Sequence, residues 1–143
     1  MEPYATALAD AVVRALPGWV ERSVTRRLGG PAGPEIRDAV RDAGRRAAAE
    51  VGGAVRALLA LDIDEQRSTP LAILRSAVRY PTEVLQAAGV PPVERDPMQV
   101  RLLPGDLYDL SPASFADVDP ALAEPGLYWG AAKALAHRRR HSP

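Results

Sequence analysis

Asp62, Asp64 and Glu65 place three carboxylates beside Gln66 and Arg67 in six consecutive residues, DIDEQR. Carboxylates gathered this closely have the composition of a hard-cation site, which needs several oxygens converging from one loop. The glycine-bearing D-x-[DN]-x-[DN]-G frame that would aim them is absent, so no metal is expected here. The simpler expectation is that Arg67 pairs with one of the acids while Thr69 satisfies free amides at the next helix start. That leaves more charge than a joint between helices requires. Asp62, Asp64, Glu65, Gln66 and Arg67 are therefore expected to offer a docking surface, where fixed charges supply orientation and specificity.

Two further groups extend that candidate surface. Arg79-Tyr80-Pro81 stands at a proline-marked break, and Tyr128-Trp129 supplies two of only seven aromatics in the chain. An exposed Trp129 would be an interface anchor. Arg37, Arg41 and Arg45 share one helix side, but Asp38 lies three residues before Arg41, and Asp42 three before Arg45 and four before Arg46, the spacings of intrahelical ion pairs. A phosphate would meet those acids as well as the arginines. His137 and His141 are four apart without the interior Glu of a zinc-protease helix, and three arginines fill the interval. There is no cysteine, no glycine-rich phosphate loop and no G-x-S-x-G elbow. No catalytic residue and no cofactor is expected.

The elements that must carry these residues are helical. Tyr4, Leu8, Val12 and Leu16 recur every four residues; Pro17 then predicts a break at 16–18, with Trp19, Val20, Val24 and Leu28 on a second helix. GGPAGP (29–34) is a breaker. From Pro34 to Leu61 an apolar stripe of Ile36, Val40, Ala43, Ala47, Val51, Ala54, Leu58 and Leu61 runs about seven turns, roughly 40 Å. Gly44, Gly52 and Gly53 each weaken it by roughly 1 kcal/mol relative to Ala, tolerable where another helix packs closely. Thr69-Pro70 reads as N-cap and first residue of the next helix, which Pro81 splits or kinks. Gly89 reads as a C-cap before Pro91-Pro92.

Residues 93–124 carry seven acids against Arg95 and Arg101, with prolines at 97, 104, 112 and 120. Their leucines and aromatics predict a folded, irregular arm, with Ser111-Pro112 and Asp119-Pro120 opening short helices. A last helix from about residue 125 brings Leu127, Ala131, Ala134 and Leu135 back to the core, and residues 137–143 fray. The whole is expected to be a single all-α domain over residues 1–143. It is a bundle of about five helices, with 34–61 as its long central helix and the Pro-rich acidic arm before the last helix.

Composition agrees. Hydrophobic residues make up 47% and charged residues 25%, with 18 positive and 18 negative groups in balance. That balance argues against a dedicated polyanion binder. Lys133 is the only lysine. The arginine, alanine, proline and glycine excess is that of a high-GC genome. DIDEQRSTPLAILRSAVRYPTEVLQAAGVPPVERD and LYDLSPASFADVDPALAEPGLYWGAAKA resemble a group of small uncharacterised helical proteins of high-GC actinobacteria. The resemblance covers about the C-terminal 80 residues and implies no activity, cofactor or site residue.

With no apolar run near 18 residues and an acidic start, the chain is expected in the cytoplasm. The expected function is a non-enzymatic protein–protein interaction or regulatory module, with a protein partner or a second copy of the chain. The alternatives are nucleic-acid association through the arginine ridge and the HRRRH tail, and a helical bundle that takes a small molecule or lipid.

Overall fold

A computed structural model describes residues 3–30, 32–61, 69–94, 96–102 and 105–141. It is an all-α bundle, with no strand among the described residues. Two long helices, α1 (Pro3–Leu28) and α2 (Pro34–Ala60), form an antiparallel hairpin. Then come α3 (Pro70–Arg75), a 3-10 turn over Ser76–Val78, and α4 (Arg79–Ala87). The arm holds α5 (Pro97–Leu102), α6 (Phe115–Val118) and a 3-10 turn over Pro120–Leu122, and α7 (Ala123–His141) closes the chain.

The expected break at Pro17 does not occur: α1 runs through it without interruption. Leu8, Val12, Leu16, Val20 and Val24 are all fully buried, so the stripe keeps its phase across the proline. Burying each such side chain is worth about 1.5–3 kcal/mol, which outweighs the ~3 kcal/mol an interior proline costs. The neighbouring helix also accommodates the site, because Gly44 of α2 faces the Pro17 backbone with no side chain between them.

The centre of the bundle is α1 rather than α2. It packs against α2, α4, α6 and α7, whereas among the described elements α2 meets only α1 and the α3–α4 segment closely. Along α2 the buried set is Val40, Ala43, Gly44, Ala47, Val51, Gly52, Val55, Leu58 and Leu59. The predicted stripe therefore drifts at its C-terminal end. Ala54 is exposed and Leu61 is 46% exposed, while Val55 and Leu59 point inward. Gly52 meets Val13 of α1, but Gly53 faces open space, so only two of the three glycines serve close packing.

Local signals around the shorter helices hold well. The Thr69 hydroxyl accepts from the Ala72 amide at 3.1 Å, with Pro70 as the first helical residue. Pro81 falls in the first turn of α4, where its missing N–H is least missed, and the chain approaches it through the 3-10 turn. Gly89, at φ 77°, ends α4; its amide reaches the Gln86 carbonyl and the Val90 amide the Leu85 carbonyl, both at 3.0 Å. Those two bonds make a Schellman cap.

The arm is tied down by hydrogen bonds. Asp106 is buried, and its two carboxylate oxygens accept from the amides of Leu110 (2.7 Å) and Ser111 (2.8 Å). The buried Tyr108 donates its hydroxyl to the Val90 carbonyl at 2.7 Å. Ser111-Pro112 does not open a helix. Asp117 instead gathers the amides of Ala113 and Ser114, and the helical turn starts at Phe115. Asp119-Pro120 does act as expected, with Asp119 accepting from the Ala121 amide at 2.9 Å. The backbone of α7 stays helical to His141, through residues 137–141 of the segment expected to fray.

Candidate interaction surface

The docking residues read from the joint, Asp62, Asp64, Glu65, Gln66 and Arg67, lie outside the described residues. Of the other two groups, Arg79, Tyr80 and Trp129 are described, and neither Tyr80 nor Trp129 presents an exposed aromatic anchor.

Arg79 and Tyr80 form a latch between α4 and α2. Tyr80 is 1% exposed and donates its hydroxyl to Glu50 Oε2 at 2.5 Å. Arg79 donates to the same Glu50 oxygen at 2.9 Å and to the Tyr80 oxygen at 2.7 Å. The guanidiniums of Arg79 and Arg46 stand 4.8 Å and 5.6 Å from the centre of the Tyr80 ring, within cation–π range. Arg46 continues the network, to Asp42 on its own helix (3.1 Å) and to Glu83 on α4 (3.5 Å).

Burial, followed by the hydrogen bond to Glu50, pushes the Tyr80 phenol above its ordinary pKa of 10.0, against the lowering influence of Arg79. The hydrogen bond to Tyr80 in turn holds Arg79 more firmly charged than usual. At neutral pH the tyrosine is thus a fully engaged phenol, without the properties of a base or nucleophile. Tyr80 is part of the core, with Arg79 as its exposed but paired rim.

Trp129 is only 7% exposed, with Lys133 Nζ 5.0 Å from the centre of its ring. Its indole Nε1 is buried without a hydrogen-bond partner. Among the described side chains of α7, Gly126 and Trp129 are buried and Lys133 is half-buried beside them, and Gly126 carries the Phe115 ring of the arm directly against its backbone.

That orientation reverses the expectation for α7. Periodicity assigns Leu127, Ala131, Ala134 and Leu135 to the core, yet all four are exposed, Leu127 at 73% and Leu135 at 43%. They lie on the side of the helix opposite Trp129, with exposed Glu124 one turn before them and exposed Arg138 one turn after. The stripe is real, but no part of the described chain covers it. Its periodicity is the signal available in the sequence. Periodicity shows that a helix has an apolar face, without showing what covers that face.

Two further groups of arginines have distinct partners. On the outer side of α2, Arg41 pairs with Asp38 (3.8 Å) and Arg45 with Asp42 (2.5 Å), the self-compensated ridge expected from the spacing. Facing the arm, Arg22 donates to the Val118 carbonyl at 2.7 Å and lies 3.7 Å from Asp119. Arg75 donates to the Pro112 carbonyl at 3.1 Å, and Arg27 reaches the carbonyl and carboxylate of Asp109 at 3.5 and 4.0 Å. The acidic arm thus docks on a basic wall of α1 and α3.

Between that wall and the arm lies an open groove of about 550 Å³, mainly polar, lined by residues including Trp19, Arg22, Arg26, Asp109 and Asp117. Among the described residues no group of three or more His, Cys, Asp or Glu side chains could hold a metal ion. No described helix is long and apolar enough to cross a membrane. No protein-family model matches the chain, and no similar curated protein or solved structure was found.

Proposed function

We propose that this chain is a non-enzymatic protein–protein interaction module of the cytoplasm and that its contact surface is the outer face of α7. The observation that carries this reading is the exposure of Leu127 and Leu135 on one helical stripe with Ala131 and Ala134 between them. Small residues between two leucines let another helix approach closely, while the leucines supply apolar area at either end. Glu124 and Arg138 border the stripe with opposite charges, which favours one orientation of a partner.

Nucleic-acid association finds less support, because Arg41, Arg45 and Arg46 already have acidic partners that a phosphate backbone would have to displace. A lipid or apolar ligand finds less support in the groove beside the arm, whose lining is mainly charged and polar.

The test is site-specific photocrosslinking in the cells of origin, with the photoreactive residue at Leu127 and, as a control on an exposed part of α4, at Gln86. Discrete protein adducts are expected from position 127 and not from position 86. If position 127 gives no adduct above the control, the interaction module is wrong.

A further inference from the structure

We propose that the groove between α1 and the arm is a binding site for a small zwitterion, a molecule carrying both a carboxylate and an ammonium group. Arg26 and Ser23 take the carboxylate, and Asp109 takes the ammonium.

On the α1 side the groove is lined by Arg22, Ser23 and Arg26, whose spacing of three and four residues before Arg26 sets them on one helix face. The facing wall is the arm from Asp109 to Pro112, with Asp117 beside it. One wall is therefore cationic and the other acidic. Each has one charge committed to the fold. Arg22 holds the Val118 carbonyl and stands 3.7 Å from Asp119, and Asp117 takes the amides of Ala113 and Ser114. Each wall also has one charge left open. Arg26 is exposed, with no hydrogen bond or ion pair among the described residues. The Asp109 side chain is 58% exposed and reaches Arg27 only at 4.0 Å.

Ser23 is an independent sign of a ligand. It is 3% exposed, yet its hydroxyl makes no hydrogen bond among the described residues. A hydroxyl on a helix ordinarily donates back to a carbonyl one turn earlier, as Ser76 and Thr82 do here. A buried hydroxyl without a partner is unfavourable and rare. Ser23 lines the groove one turn before Arg26, where a carboxylate oxygen would complete it.

The opposite wall is held in place by the fold itself. Asp106 takes the amides of Leu110 and Ser111, and Arg75 holds the Pro112 carbonyl. Asp109 sits at φ 54°, in the left-handed region that residues other than glycine seldom adopt. Backbone kept there by its surroundings recurs at ligand clamps. A preformed wall also lowers the ordering cost of binding.

The two walls together choose the ligand. A simple anion such as phosphate meets Asp109 and Asp117 as well as the arginines, and a simple cation meets the arginines as well as the acids. A zwitterion laid across the groove gives each wall its opposite charge. The volume of about 550 Å³ is in the range of small-molecule sites. No described residue of α7 lines the groove, so the site stands or falls separately from the interaction face.

Isothermal titration calorimetry of the full-length protein tests the site. The probes are the proteinogenic α-amino acids and the ω-amino acids from β-alanine to 6-aminohexanoate. At least one is expected to bind saturably. Its N-acetyl and its amide forms, each lacking one charge, should bind about tenfold more weakly or worse. R26A and D109N should each weaken binding about tenfold. S23A should weaken it severalfold, and all three variants should keep the wild-type melting curve. Asn also tolerates left-handed backbone, so D109N leaves the wall in place. R45A, on the outer ridge of α2, should bind as the wild type does. No saturable binding of any probe would overturn the zwitterion site. So would single-charge analogues or inorganic phosphate that bind as tightly as the parent compound, or R26A and D109N that fold and bind like the wild type.

Discussion

Gly44 of α2 lies so close to Pro17 of α1 that a Cβ at position 44 would come within 3.0 Å of the proline Cα. This contact explains how a proline sits inside a 26-residue helix and why a glycine interrupts its neighbour. Gly44→Ala should destabilise the protein by about 1–3 kcal/mol, since the obstacle is backbone that cannot swing aside. Thermal denaturation would check it.

Adjacent glycines further along α2 should respond with opposite signs. A Cβ on Gly52 would lie 2.8 Å from Val13 Cγ2, whereas one on Gly53 meets nothing within 4 Å. Gly53→Ala should stabilise by up to about 1 kcal/mol through helix propensity. Gly52→Ala should destabilise, and Val13→Ala in the same chain should recover part of that loss, an interaction read from a double-mutant cycle.

The Tyr80–Glu50 bond makes stability sensitive to alkaline pH. The folded-state pKa of Tyr80 is raised, so its contribution is complete below the unfolded value near 10. As pH rises past 10 the unfolded chain loses its proton first, and the contribution is gone once pH passes the folded-state value. Tyr80→Phe should flatten this alkaline limb in denaturant titrations and cost about 1 kcal/mol at neutral pH. Arg79→Ala, at a 58% exposed side chain, should cost less than about 1 kcal/mol.

Arg22 holds the arm chiefly through the Val118 main-chain carbonyl. Arg22→Ala should speed hydrogen exchange of the amides at residues 115–119, with a global cost of about 1 kcal/mol. Asp119→Asn should change stability by less than about 0.5 kcal/mol, because its exposed partnership with Arg22 is long and Asn can still cap the turn.

At the base of α7, a Cβ on Gly126 would come 2.5 Å from the Phe115 ring. Gly126→Ala should therefore displace the ring and destabilise the arm, and Phe115→Leu in the same chain should relieve much of the effect. Hydrogen exchange across residues 105–122, compared among the wild type and these two variants, measures both steps.

Turn and cap chemistry was legible in the sequence because it is local. Thr69-Pro70, Gly89 and Asp119-Pro120 need only their immediate neighbours, and each behaves as its residue types dictate. Pro17 misled because the compensation for it lies in another helix, in Gly44 and in the burial of Leu16 and Val20. The α7 stripe misled for a related reason. Leu127 and Leu135 repeat at helical spacing, but Gly126 and Trp129 on the opposite side, packed on the arm and α1, decide which face turns inward. The candidate surface was thus visible as a pattern and invisible as a surface. Arg79 and Tyr80 were expected on a docking surface, and it is Glu50, thirty residues before Tyr80 in the chain, that makes them a latch.

The arginines that hold the arm have one property in common. Arg22, Arg75 and Arg27 reach the carbonyls of Val118, Pro112 and Asp109. A carbonyl is the same whatever side chain accompanies it. These three contacts therefore ask little of the residues they hold, while the arginines that provide them have no substitute of equal reach and geometry. Over evolutionary time the exposed positions of residues 109–118 that cap no turn have licence to vary, whereas exchanging Arg22 or Arg75 would loosen the segment they hold.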